Sequence, residues 1–336
     1  MATTIKDVAK LAGVSTATVS MVVNQKAERI TEKTKNDVLD AIEKLEYKPN
    51  YTARSLVSSQ SFTVGLIVPE ITNPFFAELA RNLENHLHQA GYITFLCNSG
   101  EDLALEARYI DSLLRRSIDG LIICGLTEES KAMLPLLKQR QIPYLILDNR
   151  RMQSDFSIRI NDFEGGRLIA EHLLSLNHDT YGFVGDFSGY QNLHRRYEGF
   201  ADVLFKAGKE ILLFESELTK KGGQLVAKEV FDSKATAVFC SNDLIAVGIY
   251  EQAHLHGVRL PEDLSIAGFD DISFAEILSP KLTTIKQPLE CMSQIAVTRL
   301  LSMIQDQSFT FETEVLPVEL LIRDSTAKLT ISNVLK

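Results

Sequence analysis

The sequence predicts an α/β protein: a small helical headpiece followed by two doubly wound α/β subdomains. Three observations carry this. The first 60 residues hold three short helical patterns and no strand-like run. From Phe62, apolar runs of strand length alternate with amphipathic stretches, and the same rhythm restarts near Tyr181. At 336 residues the chain is long for one domain. The expected divisions are 1–48 for the headpiece, 49–61 for a hinge helix and linker, and 62–336 for the core.

In the headpiece, Ile5, Val8, Ala9 and Ala12 recur at helical spacing and mark one buried stripe. Gly13 follows where a helix end needs a residue tolerant of positive φ. Ser15 offers an N-cap oxygen to a second helix whose apolar positions are Val19, Val22 and Val23. Its outward residues, Thr16, Ala17, Thr18, Ser20 and Met21, are small or uncharged, which suits a surface lying against base edges in the major groove. An ordinary helical hairpin would show the same pattern. A third helix runs from the N-cap Thr31 to about Leu45, with Val38, Ile42 and Leu45 on one face, and Pro49 ends it. Residues 50–60 are a polar connection with one weak helical segment, too short to be stable in water alone.

In the core, Val64–Val68, Ile93–Cys97, Leu121–Cys124 and Tyr144–Leu147 have the length of buried parallel strands. Amphipathic stretches such as Phe75–Ala90 and Leu103–Leu114 separate them. The second series is Gly182–Val184, Ile211–Phe214, Ala237–Cys240 and Ser265–Gly268. Ligands of such folds bind beyond the carboxyl ends of strands, so paired units share a cleft.

Composition narrows the function. The apolar fraction is 45% and the charged fraction 24%, as in globular proteins. No apolar run approaches the ~20 residues of a membrane span, and no export-type apolar segment opens the chain. A cytoplasmic, nucleoid-associated protein is therefore expected. Cys97, Cys124, Cys240 and Cys291 are scattered and read as reduced core residues. The net charge is −9, yet residues 1–60 carry nine Lys/Arg against seven Asp/Glu, leaving −11 on the remainder. An acidic body with a slightly basic head repels nucleic acid everywhere except at the head.

Enzyme signatures are missing. No Gly-x-Gly-x-x-Gly follows the first strand, no Walker-type loop occurs, and Gly165-Gly166 and Gly222-Gly223 fall in helical stretches. His172, His178, His254 and His256 lack partners at metal spacing and read as surface or core residues. No catalytic residue, metal or cofactor is expected. Asp270 and Asp271 are adjacent carboxylates without a partner at catalytic spacing.

Four blocks resemble the LacI/GalR family of bacterial transcription regulators. They are Thr4–Ala9 with Val19–Asn24; Tyr47–Asn50 with Ala53–Leu56; Ser241–Gly248; and Leu260–Asp271, closed by Leu282–Pro288. The resemblance implies a homodimer on a near-palindromic double-stranded DNA operator. Each second helix would lie in the major groove, and paired hinge helices would enter the minor groove. The implied DNA-facing residues are Thr4, Lys6, Ser15, Thr16, Ala17, Thr18, Ser20, Met21, Asn24, Tyr47, Asn50, Ala53, Arg54 and Leu56. Leu56 would wedge between base pairs, as apolar side chains do in bent duplexes, and Arg54 would contact phosphate. Thr16, Ala17 and Met21 replace the Arg or Gln that many relatives use for base readout.

The core resembles the periplasmic sugar-binding proteins, with one subdomain over about 62–161 and 289–320 and the other over about 162–288 plus the C-terminal segment. A small polar effector is implied, contacted by Asn73, Phe75, Phe76, Asp148, His194, Arg196, Asn242, Asp270 and Gln287. Several have plainer readings. Phe75 also suits a core position, Asn242 or Asp243 could simply cap the following helix, and Asp271 has no assigned role. The Asn73-Pro74-Phe75-Phe76 block resembles the ribose-type branch. Three departures weaken that: Asn149 after Asp148, His194 two before Arg196, and Ile160 where many relatives have an aspartate, with Asn161 and Asp162 following. Each removes or moves a charge, which leaves another sugar or a nucleobase open. Control by a phosphorylated carrier protein also stays open, as does dimer against tetramer.

Overall fold

The computed structural model describes residues 3–23, 30–47, 60–100, 102–125, 133–147, 156–187, 190–306 and 308–329. The chain divides into two compact units, Met1–Phe62 and Thr63–Lys336.

The first unit holds α1 (Ile5–Ala12), α2 (Thr16–Val23) and α3 (Glu32–Lys44). Asp7 accepts from the Thr4 N–H at 2.9 Å and from its hydroxyl at 2.7 Å. Those bonds hold the Asp7 carboxyl below its ordinary range. Gly13 ends α1 at φ +66°, and the Ser15 hydroxyl accepts from the Thr18 N–H at 3.1 Å to start α2. Thr31 caps α3 through the Thr34 N–H. Val8, Ala9, Val19, Val22, Val38 and Ala41 form the buried centre, with the remaining stripe residues packed around it.

The core carries two six-stranded sheets. The first series is β1 (Thr63–Val68), α4 (Pro74–Gln89), β2 (Ile93–Asn98), α5 (Leu103–Arg115), β3 (Gly120–Cys124), α6 (Leu134–Gln139), β4 (Tyr144–Leu147) and β5 (Ser157–Ile160). The chain then crosses into α7 (Asp162–Ser175), β6 (Thr180–Gly185), α8 (Gln191–Lys206), β7 (Glu210–Glu215), α9 (Lys220–Asp232), β8 (Ala237–Cys240), α10 (Asp243–His256), β9 (Ser265–Asp270) and β10 (Thr283–Lys286). It returns through α11 (Leu289–Gln305) and β11 (Glu314–Leu316), and crosses again into β12 (Glu319–Leu321). The first sheet runs β11-β5-β4-β3-β1-β2 and the second β12-β10-β9-β8-β6-β7. Both are parallel except for β12, which pairs antiparallel with β10. The third crossing therefore falls before Glu319, not after residue 320, because β12 belongs to the second sheet.

Two strands expected to be buried are edges. β2 and β7 each pair on one side only, and Ile93 and Leu96 are 65% and 49% exposed. An apolar run of strand length does not say which place in the sheet it takes. The cysteine expectation is also corrected: Cys124 and Cys240 are buried, Cys97 is half-buried on the edge strand, and Cys291 is exposed.

Glycines set the helix packing. A methyl group at Gly166 would lie 1.9 Å from the Arg196 carbonyl oxygen, and one at Gly199 would lie 1.9 Å from that of Phe163. Helices α7 and α8 thus touch backbone to backbone. Gly223 and Gly248 do the same for α9 and α10.

His178 is a core residue, not a ligand. Its Nε2–H donates to the Ala327 carbonyl at 3.0 Å, so Nδ1 accepts from the Thr236 hydroxyl at 2.9 Å. Burial lowers its pKa below the ordinary 6.5. The unfolded chain then binds more protons as pH falls through about 6.5, and the core loses stability there. Urea melts between pH 7 and pH 5 should show this slope, and His178→Gln should flatten it. An unchanged slope would refute the assignment. Half-buried His172, lowered for the same reason, supplies a remainder.

Candidate functional site

In the head, Thr4, Lys6, Ser15, Thr16, Ala17 and Met21 are exposed, leaving the start of α2 open to a partner. Thr18 and Ser20 are half-buried rather than outward-facing. The Thr18 hydroxyl lies 2.9 Å from that of Ser15, tied into the cap. Tyr47 packs against the head core. Asn24, Asn50, Ala53, Arg54 and Leu56 lie outside the described residues, as does Asp148 in the core.

In the core, a cavity of about 700 Å³ opens beyond the carboxyl ends of the strands, lined from both sheets. The first sheet's side supplies Asn73, Phe75 and Phe76. The second supplies Arg196, Asn242 and Asp270, and Gln287 comes from the crossing into α11. Asn73 caps α4 by accepting from the Phe75 N–H at 3.0 Å. Phe75 and Phe76 meet edge to face, centroids 4.9 Å apart. Phe75 is both core and wall: it is 4% exposed yet lines the cavity.

Arg196 is the centre of the second side. Its Nε donates to Asp162 Oδ1 at 2.8 Å and its Nη1 to the Ser241 carbonyl at 2.7 Å. The guanidinium lies 3.6 Å over the Phe269 ring. Asp270 Oδ1 stands 3.8 Å from Nη1, too far for a hydrogen bond, and accepts from Gln287 Nε2 at 2.7 Å. Among the described residues Gln287 Oε1 is buried without a partner, an acceptor that a ligand hydroxyl can satisfy. Asp270 holds φ +119° and Asp271 φ +56°, a left-handed pair that turns the chain at the cavity.

The capping alternatives resolve in favour of Asn242. It accepts from the Ile245 N–H at 2.9 Å and donates to the Leu218 carbonyl at 3.0 Å. Asp243 is no cap. It accepts from the Ile272 N–H at 3.0 Å and the Thr284 hydroxyl at 2.6 Å, bracing the turn after β9. Burial first, and then the Asp270 charge, push its carboxyl well above the ordinary range. Asp271 pairs with Arg323 at 2.6 Å, from the C-terminal segment.

One expectation fails. His194 is 63% exposed on α8 and does not line the cavity. Two residues on a helix turn about 200°, so a partner of buried Arg196 at that spacing points away. The sequence also understated Asp162. With Ile160 apolar in β5, a carboxylate is moved rather than lost, because Asp162 meets Arg196. Asp186, Tyr190, Lys220 and Lys221 line the cavity and were not anticipated. They sit in or beside the loops after β6 and β7, where the strand-end rule points. Among the described residues no group of His, Cys, Asp or Glu is arranged to hold a metal ion, and no helix is long and apolar enough to cross a membrane.

Residues 4–50 match the bacterial regulatory proteins, lacI family, and residues 170–326 match a periplasmic binding protein-like domain. The ribose operon repressor of Halalkalibacterium halodurans is 33% identical over 328 residues, covering 96% of this chain and 97% of that one. A LacI family regulator from Enterococcus faecium, solved with bound ribose, has TM-score 0.74 and 38% identity, covering 80% of this chain and 100% of that one. The lac repressor dimer bound to operator and an anti-inducer has TM-score 0.86 and 28% identity, covering 97% and 100%.

Proposed function

Because this chain belongs to the lacI family of bacterial regulatory proteins, we propose that it is a transcriptional repressor whose operator affinity is set by a small sugar, ribose being the best candidate, held in the core cleft. Residues 1–48 read the operator, 49–61 form the hinge, and 62–336 bind the effector and dimerise. The observation that carries the effector reading is the buried Arg196–Asp270–Gln287 set. It combines charged donors, a charged acceptor and an open amide oxygen at one wall of a cavity. Such groups make strong hydrogen bonds to hydroxyls, while the Phe75 ring offers an apolar face to a sugar. The ribose operon relative and the ribose-bound neighbour support that sugar.

The head supports the DNA reading with the exposed α2 surface at Thr16, Ala17 and Met21. A homodimer fits the exposed apolar edge of β2 at Ile93, Phe95 and Leu96, which a second copy would cover. A dimer is also the form of the operator-bound lac repressor. A cytoplasmic location at the nucleoid follows from this reading. The effector acts by preferring one arrangement of the two core halves, with coupling of about 1–3 kcal/mol.

Thermal unfolding with ribose, other pentoses, hexoses, sugar phosphates and purines tests the proposal. Ribose at a hundred times its dissociation constant should stabilise the protein by about 2.7 kcal/mol. A shift with a purine alone would move the effector to the nucleobase class. No shift with any compound would sink the small-effector reading in favour of a protein corepressor.

A further inference from the structure

We infer that Asp162 is a positioning residue for effector recognition: it fixes Arg196 in the cleft and ties that arginine to the first crossing between the two halves of the core. The inference rests on reading the cleft as the effector site.

Place comes first. Asp162 opens α7, directly after β5, where the chain leaves the first sheet for the second. The preceding residue, Asn161, donates its N–H to the Leu316 carbonyl at 2.9 Å, which binds this crossing to the strand that leads into the third. A carboxylate in the first turn of a helix is favoured by the exposed N–H groups and the helix dipole. Asp162 is buried, as is Arg196, so their 2.8 Å contact is poorly screened by water.

The guanidinium is held by Asp162 at Nε, by the Ser241 carbonyl at Nη1 and by the Phe269 face beneath it. Asp162 is the only carboxylate among these three. Asp270 lies beyond hydrogen-bond reach of Nη1 and on the cavity wall. With Arg196 held by Asp162, Asp270 keeps its bond from Gln287 and its place on the cavity wall. Without the Asp162 charge, Arg196 would close the 3.8 Å gap to Asp270, and two groups that should serve the ligand would serve each other. The contact exists because Gly166 and Gly199 let α7 and α8 meet at their backbones.

A double-mutant cycle on the full chain tests this, with ribose as the probe. Ribose dissociation constants are measured for the parent, Asp162→Asn, Arg196→Gln and the double variant. Binding to a DNA site selected with the parent is measured with and without saturating ribose. Asp162→Asn should weaken ribose binding about tenfold or more and shrink the ribose-dependent change in DNA affinity. The double variant should bind ribose no worse than Arg196→Gln. Asp162→Glu, which keeps the charge, should recover part of the loss.

Multiplying effects in the double variant, or an Asp162→Asn constant within twofold of the parent, would overturn the positioning role. Lowered thermal stability with an unchanged ribose constant would do the same, since that is the mark of a structural role alone. Arg196→Gln with parental ribose affinity is a different failure, because it removes the effector-site reading itself. A parent that does not respond to ribose removes both.

Discussion

Replacing Gly199 with alanine is expected to destabilise the core by about 3–4 kcal/mol, lowering its melting midpoint by roughly 10 °C. The added methyl would stand 1.9 Å from the Phe163 carbonyl oxygen. Backbone cannot rotate aside as a side chain can, so α7 and α8 must separate. Separation also pulls Asp162 from Arg196, and ribose binding should weaken with stability. Gly13→Ala provides the contrast. Its site is open, so only the φ of +66° is costly, about 1 kcal/mol, and confined to the head. Calorimetry on both variants decides it. A Gly199→Ala core that melts within 2 °C of the parent would show that the two helices slide apart without penalty.

Placing aspartate at Val38 should abolish operator binding, by more than a hundredfold, with the core transition and its ribose response intact. Val38 is fully buried at the centre of the head cluster. An unpaired carboxylate there costs several kcal/mol, and a headpiece this small has about 3–5 kcal/mol to lose. Electrophoretic mobility shift on a DNA site selected with the parent, beside calorimetry, reads both quantities. Retained DNA binding would mean that the head tolerates the charge by opening at α3. Loss of the ribose response would mean that the two compact units do not fold independently.

Most of the local structure was legible because it is written in short-range spacing. Ile5, Val8, Ala9 and Ala12 lie one helical face apart, and the capping oxygens of Ser15 and Thr31 stand where the helices begin. Four strands of each series, β1–β4 and β6–β9, could be placed from their apolar runs, whereas β5, β10, β11 and β12 could not, and the motif blocks pointed to Asn73, Phe75, Arg196, Asp270 and Gln287, which the fold gathers at one cavity. His194 shows the limit. The resemblance placed it at an effector-facing position two before Arg196, but helical geometry turns it outward.

The sequence by itself determined the units of this protein: three head helices, two series of strands and helices, and the residue types that end them. These depend on interactions among neighbours a few residues apart, which periodicity and capping record. Tertiary structure alone decided that β2 and β7 are edges, that β12 joins the second sheet, and that Asp162 meets Arg196 across 34 positions. It also decided that Gly166 and Gly199 serve a helix contact rather than a turn. Each of these depends on which distant surfaces meet, and the same side chain satisfies its local pattern equally well in any of those places.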